Sequence, residues 1–553
     1  MAIAHTAEPE QRRWDTRRQN KRERMARVKP WLRGKLLDAR DIQLALGSLL
    51  ESGDRIVLEG DNQKQADFLA ASLAALDPER VHDLHLLISS ITRPEHIQLF
   101  ERGIARKVDF AFAGAQSLRL SQLLEDRQIE IGSIHTYVEL YARMFIDLPP
   151  RFAFICADKC DLQGNLYTGP NTEDTPTIVE ATAFRDGIVI AQVNELVDEL
   201  PRVDIPGCWV DIVVQSPQPY AIEPLFTRDP RHINELHILM AMMVIRGIYE
   251  RYGITSLNHG IGFDTAAIEL LLPTYGESLG LKGKICRNWA LNPHPTLIPA
   301  IESGWVESVH CFGSEVGMED YIAARPDIFF TGSDGSLRSN RVLCQLAGQY
   351  GIDLFIGSTL QMDPDANSST VTLGRIAGFG GAPNMGHNPG GRRHASAPWL
   401  ELLRGVPPIQ RGQKLVVQVA ETYQKGGVSA FVDTLDAVEV GRQSNMPIAP
   451  VMIYGDDVTH VVTEEGIAYL HRAEGMEDRR AALAAVAGVS PVGLRSRAED
   501  VARLRRLGVV AYPEDLGVSR LQASRSLLAA SNMADLVGWS KGLYRPPSKF
   551  RSW

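Results

Sequence analysis

The chain has 553 residues, 44% hydrophobic and 23% charged, the composition of a globular protein rather than a disordered or fibrous one. Its net charge of −9 argues against nucleic-acid binding by a basic surface, and no apolar stretch reaches the ~18–20 residues of a membrane span. Length suggests about three or four structural units.

The opening residues, MAIAHTAEPEQRRWD, hold no apolar signal-type core, so the expected location is the cytoplasm. Residues 11–29, QRRWDTRRQNKRERMARVK, are dense in arginine and lysine and read as a solvated helix or arm, with docking to an acidic partner as the functional alternative. From there strands and helices alternate. Asp54–Gly60 reads as a strand, Lys64–Leu76 as a helix, Val81–Ile88 and Val108–Phe112 as strands, and Ser117–Glu125 as a helix. Phe152–Ala157 and Gly187–Val193 are near-continuous apolar runs, the pattern of parallel strands covered on both faces. That alternation predicts an α/β domain up to about Ile222.

After the joint PLFTRDPR at 224–231, a helix is expected over His232–Tyr252 and a strand opens into a loop at Ser256–Gly262. The pattern then repeats: helix Ala266–Leu272, strands Val306–Cys311 and Ile328–Thr331, helix Leu337–Tyr350, then strands Leu354–Ile356, Lys414–Val419 and Val458–Thr463. The expected organisation is a basic N-terminal arm (1–30), an N-terminal α/β domain (31–226), a second α/β domain (227–515) and a C-terminal tail (516–553) that is basic and proline-bearing from Lys541. The six cysteines are sparse and read as reduced thiols. Cys156 and Cys160 lack any C-x-x-C or histidine companion, so no metal is expected.

The stretch IAGFGGAPNMGHNPGG, Ile376–Gly391, follows VTLGR (371–375), which reads as a strand. Glycine lets bare N–H groups face a ligand, and a run of them forms a nest for an anion or an oxyanion. A glycine-rich turn without chemistry is the plainer reading. Pro383 stands where a dinucleotide fingerprint needs its third glycine, and Gly283-Lys284 is followed by Ile285 rather than the Ser or Thr of a phosphate loop. Neither redox nor NTPase chemistry is indicated.

Several ordered pieces carry a resemblance. NHGIG (258–262), GSTLQMDPDANSST (357–370), the glycine run, VVTEEGIAYL (461–470) and VIAQVNELVDELPRV (189–203) together resemble the family I coenzyme A transferases over roughly residues 35 to 510. Within that superfamily WDTRRQNKRERM, GDRIVLEGDNQKQADFLA and NLYTGPNTEDTPTIVEATAF are similar to the malonate decarboxylase α-subunit family. The resemblance implies two related open α/β domains with the active site between them. It also implies an acetyl-carrier:malonate carrier transferase that works with an acyl-carrier protein and with β and γ decarboxylase subunits. No cofactor would be bound covalently. The carrier would supply a phosphoribosyl-dephospho-coenzyme A arm, with coenzyme A itself as an analogue.

Coenzyme A transferases use a glutamate that attacks the acyl thioester. In the corresponding stretch, NWALNPHPTLIPAIESG (288–304), Leu291 or Asn292 falls where that glutamate belongs, and neither serves as a nucleophile. Malonate would then supply its own carboxylate and pass through a mixed acetyl–malonyl anhydride. Gly380 and Gly381, with Gly260 and Gly262, are the candidate oxyanion donors. Asn258 is a candidate to polarise the acyl oxygen, or a packing residue. Arg392, Arg393, His387, Asn384 and Asn388 are candidates for malonate, or a basic surface turn, or a contact to the carrier's phosphates. Gln192 and Asn194 either reach the site or cap a strand. Glu464 is structural by the resemblance, and Glu315 is the remaining candidate for a covalent carboxylate. The competing functions are a coenzyme A transferase or hydrolase with a covalent glutamate, and a non-catalytic scaffold.

Overall fold

A computed structural model describes residues 10–61, 64–311, 313–332, 337–340, 342, 345–346, 351–386, 414–424 and 426–551. The chain divides into two compact units, Met1–Glu223 and Pro224–Trp553.

The first unit is built on a ten-stranded sheet. Its strands are β1 (Leu32–Arg33), β2 (Leu36–Leu37), β3 (Arg55–Leu58), β4 (Leu84–Ser90), β5 (Ala105–Phe112), β6 (Glu130–Ile134), β7 (Phe152–Cys160), β8 (Leu166–Tyr167), β9 (Ile188–Leu196) and β10 (Ile212–Gln215). They lie in the order β1-β2-β10-β9-β7-β3-β4-β5-β6, with β8 on β7. The two apolar runs are neighbours at the centre, β9 parallel to β7 with Ile188 opposite Phe152 and Val193 opposite Ala157. Their residues are buried, as a strand covered on both faces requires.

The basic segment forms helix α1 (Glu10–Val28), which turns Lys21, Arg24 and Arg27 onto its own unit. Lys21 donates to Asp211 at 2.8 Å, and Arg27 to Glu51 at 2.9 Å. Arg24 is buried and donates to Leu49 O, Asp54 and Glu51. Much of its positive charge is therefore neutralised within the unit.

The second unit holds an eight-stranded sheet. Its strands are β11 (Ser256–His259), β12 (Asn288–Ala290), β13 (Ser308–His310), β14 (Leu354–Ser358), β15 (Leu415–Val419), β16 (His460–Val462), β17 (Ile467–Ala468) and β18 (Val510–Ala511), in the order β13-β12-β11-β14-β15-β16-β17-β18. The first six of that order run parallel, and the last two are antiparallel. The expected helix after the joint is present at Glu235–Val244 and continues as a π-turn, Ile245–Glu250. Gly247 lies within that turn, and a Cβ there would come within 2.6 Å of the Ile467 side chain. Leu528, Met533, Leu536 and Tyr544 share the buried core with Trp289 and Trp305, so the last segment packs into this unit.

Three expected elements differ, one of them the strand expected at Ile328–Thr331, where only Phe329 makes an isolated bridge, to Val309. Val371–Arg375 is not one strand but most of a tight hairpin, Val371–Thr372 against Arg375–Ile376, because Leu373 and Gly374 make the turn. Leu337–Asn340 is extended rather than the start of a helix; with one apolar residue in four it offers no helical face to bury. Among the described residues no helix is long and apolar enough to cross a membrane.

Candidate active site

In the second sheet the chain lays β12 and β13 on one side of β11 and β14, β15 and β16 on the other. The carboxyl ends of β11 and β14 thus flank a topological switch point, where open α/β sheets form ligand crevices. The glycines here allow close approach. A Cβ on Gly260 would lie 3.0 Å from Gly357 Cα, and one on Gly262 would lie 2.8 Å from Ser358 Oγ. Gly262 precedes helix α2 (Phe263–Leu271).

A cavity of about 490 Å³ opens at this edge, lined among others by Arg228, His237, Gly262, Phe263, Asp264 and Ser358. Asp264 Oδ2 accepts from Ser358 Oγ at 2.9 Å, and its Oδ1 lies 3.8 Å from His237 Nε2. Burial pushes the Asp264 carboxyl above the usual range. The amide of Asn234 donates to His237 Nδ1 at 3.1 Å, so the ring proton sits on Nε2, 3.2 Å from Glu421 Oε1. The hydrogen bond from His237 holds Glu421 below its ordinary value. Arg228 Nη1 donates to the carbonyls of Leu225 (2.6 Å) and Thr227 (3.0 Å), and its guanidinium lies over the Phe263 ring at 5.9 Å.

Behind the cavity edge lies a buried network. Glu269 Oε1 accepts from His259 Nδ1 and His294 Nδ1, both at 2.9 Å, and Oε2 accepts from Thr296 Oγ1 at 2.5 Å. With Nδ1 protonated, His259 Nε2 accepts from the Tyr249 hydroxyl at 2.8 Å. Burial opposes the Glu269 charge, but His294 and His259 outweigh it and hold the carboxyl well below its ordinary range. His259 is pushed down by burial. The network ties β11, α2 and the loop after β12 together.

The chain matches the family described as malonate decarboxylase, alpha subunit, transporter, over residues 13–553. It belongs to that family. An acetyl-S-ACP:malonate ACP transferase from Malonomonas rubra is 56% identical over 518 residues, covering 92% of this chain and 93% of that protein. A Pseudomonas malonate decarboxylase hetero-tetramer, solved in complex with malonate, contains a chain that superposes with a TM-score of 0.93 at 65% identity, covering 99% of this chain and all of that one. An acyl-CoA transferase, YdiF of Escherichia coli O157:H7, shares the fold with a TM-score of 0.52 at 16% identity, covering 80% of this chain and 89% of that one. The α/β coenzyme A transferase architecture expected from the motifs is thereby borne out.

In this malonate decarboxylase alpha-family chain, Leu291 and Asn292, expected from the sequence to stand where the transferases carry their glutamate, are buried. Leu291 N donates to His310 O at 3.1 Å, and Asn292 Nδ2 to Ser314 O at 3.4 Å. Glu315 accepts from the amides of Phe226 and Thr227 and from the Thr227 hydroxyl, at 3.2, 3.1 and 2.7 Å. It clamps the loop that carries Arg228 rather than offering a nucleophile. Glu464 accepts from Thr422 N and Oγ1, the loop-holding role expected of it.

The sequence-predicted residues fall into three groups. Gly380 and Gly381 form a left-handed, right-handed pair (φ +59° and −92°), the backbone pattern of an anion nest. A Cβ on Gly381 would meet Gln345 Nε2 at 2.6 Å. Asn384 Nδ2 donates to Gln345 Oε1 at 3.0 Å. The second group is engaged elsewhere. Gly260 N donates to Ile356 O at 2.7 Å, which removes it as an oxyanion donor. Asn258 Nδ2 donates to Ala290 O at 2.5 Å and staples β11 to β12. In the first unit, Gln192 donates to Asp67 and accepts from Leu69 N, capping a helix. Asn194 donates to Asp158 and accepts from Tyr220 N. The third group, His387, Asn388, Arg392 and Arg393, lies outside the described residues. Burial pushes the Cys160 thiol up to about 12 and Cys156 well above its ordinary value, so both are neutral thiols.

Sequence reasoning missed Arg228, Asp264 and the Glu269 network. A signal was present: the otherwise apolar helix FDTAAIELL carries two acids, Asp264 in its first turn and Glu269 in its body, and a buried acid needs partners.

Proposed function

We propose that this chain exchanges acetyl for malonyl on the thiol of an acyl-carrier protein, releasing acetate, as the transferase member of a multi-subunit malonate decarboxylase. The observation that carries the reading is the segment Leu291–His294. Its positions expected to match the transferase glutamate hold a buried leucine and a buried asparagine, and the acids Glu269, Glu315 and Glu464 are each engaged by hydrogen bonds. The acid substrate supplies the carboxylate that the chain does not.

In this scheme a malonate oxygen attacks the acetyl carbonyl of the carrier thioester. The tetrahedral intermediate collapses, the C–S bond breaks and the carrier thiolate leaves an acetyl–malonyl anhydride. The thiolate then attacks the malonyl carbonyl, the anhydride C–O bond breaks, and acetate departs. One thioester replaces another, so no ATP is consumed. Each tetrahedral oxyanion is met by amide donors, for which the Gly380–Gly381 nest and the amide of Gly262 before α2 are the candidates; one such donor is worth about 3 kcal/mol. The carrier brings its thiol on a phosphoribosyl-dephospho-coenzyme A arm, and the β and γ subunits decarboxylate the malonyl-carrier.

A second reading has one observation in its favour: Asp264 is a cavity-lining carboxylate whose nearest cationic partner among the described residues is His237, at 3.8 Å. A covalent route would run through it. The test is to mix the chain with acetyl-carrier and malonate, quantify acetate and malonyl-carrier, and trap with borohydride during turnover. Turnover with no modified carboxylate is expected. A reduced Asp264 or glutamate would replace direct attack by the covalent route, and absence of acetate release would leave a scaffold.

A further inference from the structure

We infer that Arg228 holds the carboxylate of malonate that does not react. This deepens the proposed activity and rests on malonate being the acyl acceptor. The loop Thr227-Arg228-Asp229-Pro230-Arg231 carries two arginines and one aspartate. Asp229 goes to Arg231, accepting from Nε at 3.0 Å and Nη2 at 2.6 Å. Arg228 is left with no carboxylate within ion-pair distance among the described residues. Burial opposes its charge, and Glu315 and Glu269 offset that only from beyond ion-pair distance, so a carboxylate placed directly on the guanidinium would be favoured.

The guanidinium is also held for recognition. Nη1 is fixed by the carbonyls of Leu225 and Thr227, and the guanidinium carbon lies over the Phe263 ring at 5.9 Å. Glu315 pins residues 226 and 227 with three hydrogen bonds. The side-on pair, Nε and Nη2, has no acceptor among the described residues, and that pair matches the two oxygens of a carboxylate. It lines the same cavity as Gly262 and the start of α2. Two acids line this cavity near Arg228 and would repel a dianion if bare. Asp229 is neutralised by Arg231, and Asp264 is moved toward its neutral form by burial. The cavity, about 490 Å³, falls within the range of about 300–1,000 Å³ that accepts small ligands. One carboxylate held on Arg228 leaves the other free to attack, and it distinguishes malonate from the product acetate, which has only one.

The test uses the full chain and its Arg228→Gln and Arg228→Lys variants. Malonate and propionate binding are measured by calorimetry without carrier, and the malonate KM and kcat with acetyl-carrier. Arg228→Gln is expected to weaken malonate binding and raise its KM by ~100-fold, with a smaller change in kcat and in propionate affinity. Arg228→Lys, which keeps the charge but loses the fork, is expected to cost ~10-fold. Unchanged malonate affinity in both variants overturns the inference, as does an equal loss for malonate and propionate. So does a malonate KM governed by Arg392 or Arg393 instead. If Arg228→Gln unfolds, Arg228→Lys decides alone. Wild-type chain that binds malonate through Arg228 yet releases no acetate would sink the proposed activity and leave this site standing.

Discussion

Replacing Glu269 by glutamine keeps the shape of the side chain and removes its charge. In the structure this carboxylate accepts three hydrogen bonds, from His259, His294 and Thr296, all in the core of the second unit. An amide oxygen can accept from the two imidazoles; the NH₂ group then faces the Thr296 hydroxyl, which must turn round to accept. Hydrogen bonds to charged groups contribute about 1.5–3 kcal/mol each, and removing one partner of a buried ionic set costs about 3–5 kcal/mol. The expected loss for Glu269→Gln is therefore about 3–5 kcal/mol in the unfolding of the second unit. Trp289 is a local probe, since its ring lies edge-on to His259 at 4.6 Å and is buried. Urea unfolding followed by tryptophan fluorescence, with circular dichroism as a second probe, reports the shift in midpoint. The sign with pH follows from the lowered Glu269 value. Its contribution is complete above the unfolded carboxylate pKa and is lost as pH falls below it, so the difference between wild type and variant should shrink in acid. A loss under ~1 kcal/mol at neutral pH would refute the idea that this network holds the loop after β12.

Three other perturbations separate roles. Gly380→Val places a branched side chain at φ +59° in the nest; turnover should fall by ~10²–10³ while the chain stays folded by circular dichroism, and near-wild-type activity would place the oxyanion donors elsewhere. His96 is buried in the first unit with its pKa pushed down to about 3 by burial and by Arg93, so the fold favours the neutral ring. Its contribution is intact above the unfolded value of about 6.5 and is lost as pH falls from there toward 3; by pH 5 the loss is about 2 kcal/mol, and His96→Phe should flatten that part of the urea-midpoint profile. Arg24→Ala removes the buried guanidinium that joins α1 to Leu49 O, Glu51 and Asp54, and should cost about 2–4 kcal/mol in the first unit's unfolding, with Arg24→Lys between the two.

Where one element's own pattern decides its state, the sequence was readable. The apolar runs Phe152–Ala157 and Gly187–Val193 became neighbouring parallel strands because a strand covered on both faces leaves no polar alternation. Ser117–Glu125 is a helix at the expected boundaries. Choices made between distant residues left no such trace. His259, Glu269 and His294 meet on one carboxylate across loops and a helix, and no periodicity announces that meeting. The same limit applies to Arg228: T-R-D-P-R does not say which arginine takes the aspartate, and the turn geometry awards it to Arg231. Glycine shows the difficulty most sharply. A missing side chain serves a ligand that must touch backbone, and equally two strands that must approach each other. Gly260 and Gly380 look alike as letters, yet Gly260 donates its amide to Ile356 O while Gly380 opens a left-handed, right-handed pair. A donor already bonded to the neighbouring strand cannot meet an oxyanion without breaking the sheet edge that shapes the cavity. The search for catalytic amides therefore narrows to Gly380–Gly381 and the start of α2, which the Gly380→Val experiment addresses directly.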